Sequence, residues 1–351
     1  MQWPQLGLRP EAATQGDRSQ RLKRALVEVR IVIVIMEELT NLGQEDEGVT
    51  RRTIGLIGVP SSAGAHWPGQ EKAPRVLREA GLVERLESSG LAVSDHGDLS
   101  HVRFRPDPER RNPQNLEAVV EVVRAVADRV EAAVRAGEIP LVIGGDCTIE
   151  LGVLSGFLRA GQDPALLYLD GGVDLRTPQT NPTGILDSMG VAHMVGEPGT
   201  AEELARVGPR FPLMKDERIV LFGYEPNPPE MGVLERHSMP RYPAKIVRDR
   251  PREVAAEALA RLEEDAERFV VHFDVDVIDF VDFPIADVPQ HNAGLTFREA
   301  IACLEVFASS PHFAGLTITE FNPDHADEED TLAAVFVSRV AVTLGRQGME
   351  S

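Results

Sequence analysis

Apolar and polar positions along this chain alternate in blocks: short apolar runs are followed by longer stretches in which apolar residues return every three or four positions. The short runs predict strands over 53–58, 91–94, 141–144, 166–170, 219–223, 244–247, 269–275 and 315–319. The periodic stretches predict helices over 72–88, 115–135, 148–159, 252–267, 297–308 and 328–344. Most strand runs are apolar almost without a break, as in Leu166-Leu167-Tyr168-Leu169. Strands covered on both faces read this way. The pattern therefore predicts an α/β fold of three layers, with a parallel sheet of about eight strands between helices.

In such sheets ligands bind beyond the carboxyl ends of the strands, and the polar residues of this chain collect there. Gly145-Asp146-Cys147 follows one run, residues 170–174 the next, 274–279 another, and Glu320-Phe321-Asn322-Pro323 the last. Asp170 closes one apolar run, and Asp274 and Asp276 close a second. Alternation along a strand puts His272, Asp274 and Asp276 on one side and Phe273 and Val275 on the other. Bare carboxylates so close repel, and some must protonate unless a metal ion or a basic side chain neutralises them. The spacing thus marks a candidate cation site, with a solvated acidic loop as the plainer alternative.

Composition narrows the partners. A chain of 351 residues with 42% hydrophobic content can bury the core of one large α/β domain. A formal net charge of -20 argues against a nucleic-acid backbone or an anionic membrane as the main partner. The two cysteines, Cys147 and Cys303, stand at no zinc-finger or disulfide spacing, which suits a reducing cytoplasm. Cys303, within Ala300-Ile301-Ala302-Cys303-Leu304, reads as core packing.

Residues 1–52 read as an extension and linker ahead of one domain over 53–351. The basic stretch 21–30 and the apolar Ile31-Val32-Ile33-Val34-Ile35-Met36 are too short for a signal sequence, and no small-residue cleavage site follows. Residues 21–39 are expected to form a helix or extra strand that could cover a partner subunit, with 43–52 as linker. No run approaches transmembrane length.

The ordered motifs resemble those of the ureohydrolase superfamily, which holds arginase, agmatinase and formiminoglutamase. Gly58-Val59-Pro60-Ser61-Ser62-Ala63-Gly64, then Pro68-Gly69 and Ala73-Pro74-Arg75-Val76-Leu77-Arg78, look like the arginase-type amino terminus. Gly144-Gly145-Asp146-Cys147-Thr148 is similar to the family's Gly-Gly-Asp-His-Ser. Asp170-Gly171-Gly172-Val173-Asp174 matches Asp-Ala-His-x-Asp at its aspartates, and Phe273-Asp274-Val275-Asp276 with Asp279 matches Phe-Asp-x-Asp-x-x-Asp. The resemblance runs from about residue 53 to 344 and implies the arginase-like fold. It also implies a pair of Mn²⁺ ions, held by two histidines and four aspartates, that activate water for attack on a guanidino carbon.

The resemblance carries Asp170, Asp174, Asp274 and Asp276 onto the four aspartate positions, Asp174 also counting among the catalytic residues. Cys147 and Gly172 stand where the family has its histidines. A thiolate suits a softer ion such as Zn²⁺, while the carboxylates suit Mn²⁺ or Mg²⁺. Cys147 is read as a ligand, a nucleophile or a buried small residue. His272, where the family usually has a small residue, is read as a surrogate ligand or as a hydrogen-bonded structural histidine. His193 aligns with the family's proton shuttle, and Glu320 with the glutamate that receives the guanidinium group. Tyr224-Glu225-Pro226-Asn227-Pro228-Pro229 replaces the loop with which arginases read the amino-acid tail, so a guanidino, amidino or amine compound other than arginine is expected. His291 and Asn292 are candidate substrate contacts near the mouth. The family also implies a homo-oligomer, a trimer or hexamer. Two readings remain: a metal-dependent hydrolase of a C–N bond, and a non-catalytic binding or regulatory protein built on the same fold.

Overall fold

The computed structural model describes residues 52–287, 291–325 and 331–346, so the expected extension over 1–52 lies, all but its last residue, outside the described residues. The described residues form eight strands: β1 (Thr53–Gly58), β2 (Ala92–Asp98), β3 (Ile139–Ile143), β4 (Ala165–Leu169), β5 (Ile219–Phe222), β6 (Arg241–Tyr242), β7 (Phe269–Asp274) and β8 (Phe313–Thr319). All pair in parallel, in the order β2-β1-β3-β8-β7-β4-β5-β6.

The helices in chain order are α1 (Ala73–Glu79), α2 (Leu82–Ser88), α3 (Leu116–Arg135), α4 (Ile149–Arg159), α5 (Gly190–Val195), α6 (Glu202–Ala205), α7 (Pro228–Leu234), α8 (Ala244–Asp249), α9 (Pro251–Asp265), α10 (Phe297–Ser309) and α11 (Thr331–Gly345). The expected helix over 72–88 is broken at Gly81, whose φ of 86° is left-handed. The expected strand over 244–247 is corrected: those residues open helix α8, and the sixth strand is only Arg241–Tyr242. Pro243 carries the chain into that helix from an extended conformation, and an edge strand of two residues leaves an apolar run with no periodicity to announce it. Helices α5, α6 and α7 are too short to show a helical period in the sequence.

Side-chain alternation divides the core. Ile57, Val142, Leu166, Tyr168, Leu221 and Val270 face one layer, packed with Val123, Val126 and Val130 of α3 and Leu151 and Leu154 of α4. On the opposite face Phe222 meets Phe307 of α10 edge-on, and Phe273 stacks with Phe336 of α11 at 6.1 Å. Fully burying side chains of this size stabilises the fold by about 1.5–3 kcal/mol each.

The strand order places the site. The chain leaves β3 and re-enters the sheet at β4, two strands away across β8 and β7, so connections depart in opposite directions and open a crevice at the carboxyl ends. Cys147, Asp170, Asp274 and Glu320 follow these four neighbouring strands. The turn after β3 needs Gly144 and Gly145, with φ of 94° and 86°. A Cβ on Gly144 would lie 2.8 Å from Pro74 and 2.9 Å from the Val59 carbonyl, so the turn is open only to glycine.

Candidate metal centre

The carboxyl ends of β3, β4 and β7 bring Cys147, Asp170, His272 and Asp274 together, with one candidate ligand atom from each lying within 4.8 Å of the others. Cys147 Sγ donates to Asp274 Oδ2 at 2.7 Å and lies 3.7 Å from Asp170 Oδ2. Asp274 Oδ1 accepts from the Asp276 backbone N–H at 2.7 Å, which turns the chain out of the strand. Strand alternation therefore stops at Asp274. Asp276 is held instead by a 2.8 Å bond from the Gly171 N–H to its Oδ1.

His272 is the register partner of Tyr168 on β4, and the two rings stack at 4.3 Å with 5° between their planes. Its Nδ1 is 3.3 Å from Glu150 Oε2 and its Nε2 is 3.7 Å from Asp170 Oδ2. Burial alone would lower its pKa, but the hydrogen bonds and charges of Asp170 and Glu150 outweigh burial and raise it to about 9. In the metal-free site His272 is thus a cation held between carboxylates, and its ring can donate an electron pair to an ion only after losing its proton. Glu150, on the first turn of α4 and fully buried, was not evident in the sequence as part of the site; a lone acid in the apolar stretch 149–157 was the available signal.

Carboxylates outnumber this one internal cation. Burial first, and then the neighbouring acids, raise the pKa of Asp174, Asp274, Asp276 and Glu320 well above the usual range. Asp187 is raised to about 7 by burial and by Asp146. Cys147 is pushed well above the ordinary thiol value by burial and by Asp274, so without a metal it is a neutral donor. Asp174 and Glu320 also adopt left-handed backbone conformations, with φ of 48° and 61°, at a cost of about 1–3 kcal/mol each. Tyr168 OH donates to Asp174 Oδ2 at 2.6 Å.

These groups open into a cavity of about 490 Å³, lined by Cys147, Asp170, Asp174, Asp187, Asp274 and Asp276 at its floor and by His66, Arg176, Asn227 and Glu230 towards its mouth. Arg176 Nε lies 3.6 Å from Glu230 Oε2, which also accepts from Asn227 at 2.9 Å. Glu320 sits behind the floor, 1% exposed, its Oε2 accepting from Gln70 Nε2.

The expected shuttle role of His193 does not fit its position. The fully buried ring does not line the cavity; Nδ1 donates to the Met189 carbonyl at 2.7 Å and Nε2 accepts from the Ala201 N–H at 3.1 Å. With both nitrogens engaged and its pKa lowered by burial to about 4, it is a neutral structural histidine. His291 and Asn292 are exposed and line no part of the cavity, the former ring lying 5.5 Å from Phe280.

The donor set fits one divalent ion better than two. Cys147, Asp170 and Asp274 offer a thiol and carboxylates around one position beside His272, and Asp174 lines the same cavity. The second position lacks a neutral donor, because Gly172 has no side chain: its Cβ would lie 3.2 Å from Asp174 Oδ1 and 3.3 Å from Asp170 Oδ1, in the space where a ligand would start. Asp276 alone extends the set on that side.

A parallel eight-stranded sheet with an acidic centre at these strand ends is the architecture that the motifs implied, and comparison with known proteins agrees with it. The sequence model of the arginase family matches residues 52–344, and the chain belongs to that family. It is 29% identical over 300 residues to the arginase of Brevibacillus brevis, covering 84% of this chain and 98% of that protein. It is 30% identical over 302 residues to human arginase-1, covering 85% and 94% of the two chains. The crystal structure of Bacillus caldovelox arginase superposes with a TM-score of 0.76 at 29% identity, over 84% of this chain and 98% of that one.

Proposed function

We propose that this protein is a hydrolase that uses a divalent metal ion to cleave a C–N bond in a guanidino or amidino small molecule. The observation that carries the reading is the convergence of Asp170, Asp174, Asp274 and Asp276 on the floor of one cavity, in a chain of the arginase family. Four carboxylates in so small a volume are costly without a cation to offset them. Zn²⁺ or Mn²⁺ is the ion, held by Cys147, Asp170, Asp174 and Asp274. When bound, it supplies Lewis-acid polarisation and an acidified water at neutral pH.

The protein's own residues do the rest. Tyr168 orients Asp174 through its hydroxyl, and His272 offsets the charge of Asp170 and Glu150 behind the ligands. Gln70 fixes one oxygen of Glu320 and leaves the other to receive an N–H of the substrate. Arg176, paired with Glu230 at the mouth, suits a substrate whose end remote from the reacting group is anionic or neutral. A homo-oligomer is part of the same proposal.

The test is incubation of the Zn²⁺- or Mn²⁺-loaded protein with a panel of guanidino and amidino compounds, following release of urea or ammonia. Release that is abolished in Asp274→Asn is the expected result; silence across the panel with metal bound removes the reading. A second reading, a non-catalytic ligand-binding protein, is favoured by the closed contacts of Cys147 with Asp274 and of His272 with Glu150. It requires that those contacts persist when metal is added.

A further inference from the structure

We propose that Arg176 is a specificity-determining residue that receives a carboxylate at the far end of the substrate, so that the site selects guanidino or amidino carboxylic acids with no ammonium beside the carboxylate. The assignment rests on the hydrolase reading above and names the substrate class for the same cavity.

Arg176 stands two residues beyond Asp174, on a backbone that is held in place. Leu175 and Thr177 on either side of it are buried, its N–H donates to the Ser188 carbonyl at 3.3 Å, and the Thr177 carbonyl accepts from the Asn181 N–H at 2.9 Å. Asn112, ahead of α3, donates to the Asn181 carbonyl at 3.0 Å. The Arg176 side chain lines the cavity and is 28% exposed. It meets Glu230 through Nε at 3.6 Å, and among the described residues neither Nη makes a hydrogen bond. The end of the fork is therefore left for a partner that arrives in the cavity.

Charge at the mouth decides which partner that is. Glu230 is matched by Arg176 and accepts from Asn227, and Glu225 is matched by Arg248 at 3.2 Å. Neither carboxylate is left over for a substrate ammonium, which would lie against Arg176 instead. His66, the other basic side chain on the cavity wall, has its pKa lowered chiefly by burial, with Asp287 opposing the shift and Arg176 adding to it, so the ring is neutral at pH 7. Arg176 is thus the one permanent cation among the residues that line the cavity. Its fork matches a carboxylate through two parallel hydrogen bonds, a neutral tail gains less, and a cationic tail is repelled. The cavity itself is dipolar, with Asp170, Asp274 and Asp276 on the floor and Arg176 towards the mouth. A molecule with a guanidino or amidino cation at one end and a carboxylate at the other aligns with that field.

The experiment is calorimetric titration of the full-length, Zn²⁺-loaded protein with γ-guanidinobutyrate, butylguanidine, agmatine and arginine. These share the guanidino group and differ in the charge at the far end; where a compound is hydrolysed, KM replaces Kd. Wild type is expected to bind γ-guanidinobutyrate about tenfold or more tightly than each of the others. Arg176→Gln is expected to lose that margin while keeping its affinity for butylguanidine, and in any hydrolysis the change should fall on KM and not on kcat. Arg176→Lys is expected to recover only part of the margin, because an ammonium has no fork. Failure of wild type to bind γ-guanidinobutyrate overturns the proposal, as does equal affinity for butylguanidine or for arginine, or a margin that survives in folded Arg176→Gln. If the Gln variant does not fold, the wild-type ranking decides. The expected ranking without turnover of any guanidino compound upholds the subsite and removes the hydrolase reading. Turnover with no preference among the tails does the reverse.

Discussion

Tyr168 and His272, partners in register on β4 and β7, stack ring on ring at 4.3 Å, and this contact sets the imidazole edge-on between Glu150 and Asp170. A histidine in a fully apolar layer would be neutral. Here two carboxylates make it a resident cation, with its pKa raised to about 9.

His272 therefore stabilises the metal-free protein in a pH-dependent way. The folded value lies above the unfolded value of 6.5, so the contribution is complete below 6.5 and is lost as pH rises through about 9. His272→Ala leaves Glu150 and Asp170 unpaired and is expected to cost about 3–5 kcal/mol in urea denaturation at pH 7. Nitrogen-15 NMR of the metal-free protein at that pH should show an imidazolium, and a neutral ring would contradict the assignment.

The surplus acids act in the same direction. Raised carboxylate pKa values mean that their contribution is present below the unfolded value and lost as pH climbs through the folded one, which for Asp187 is the window from 3.8 to about 7. Metal-free protein is expected to melt at a higher temperature at pH 5 than at pH 8. Added Zn²⁺ should raise the melting temperature more at pH 8, where the ligands are ionised. Scanning calorimetry at the two pH values checks both.

One tightly held ion per chain is expected by elemental analysis, with Asp274→Asn losing it. Substitution by Co²⁺ should give sulfur-to-cobalt charge transfer that disappears in Cys147→Ser. The double variant Cys147→His with Gly172→His supplies the missing second donor, and calorimetric titration with Mn²⁺ should then resolve two sites. A single site in the folded double variant would show that the strand ends depart from the geometry a metal pair needs.

His193 should affect stability and not proton transfer. Its folded pKa of about 4 lies below 6.5, so its contribution is present above 6.5 and is lost as pH falls through about 4. His193→Ala orphans the Met189 carbonyl and the Ala201 N–H and is expected to cost about 2–4 kcal/mol. The shape of any pH–rate profile should be unchanged, and a lost limb would restore its candidacy as shuttle.

Period and motif sufficed for most of the fold. Apolar runs announced seven of the strands, six of them continuous because a strand buried on both faces has no polar side to hide, whereas β2 turns polar and half-exposed after Val93. The exception, 244–247, shows the limit: a short apolar run has no period, and only the two-residue edge strand before it and the helix that follows decide its state. Asp170, Asp274 and Asp276 were equally legible, since carboxylates at the ends of buried strands have few structural uses, and Asp174 came from the family resemblance.

What the sequence by itself determined was the place of Asp170, Asp274 and Asp276 at the ends of apolar runs, because strand polarity is a local property of the chain; Glu150 and Asp187 were not among them. The partners of those acids were decided only by tertiary structure. Glu150 is 122 residues from His272, and Gln70 is 250 from Glu320. Whether an imidazole is a cation, a ligand or a neutral packing group depends on which carboxylates approach its two nitrogens. His272 and His193 look alike in the sequence and are separated by that single difference: the first has acids on both sides of its ring, the second a backbone carbonyl and a backbone amide.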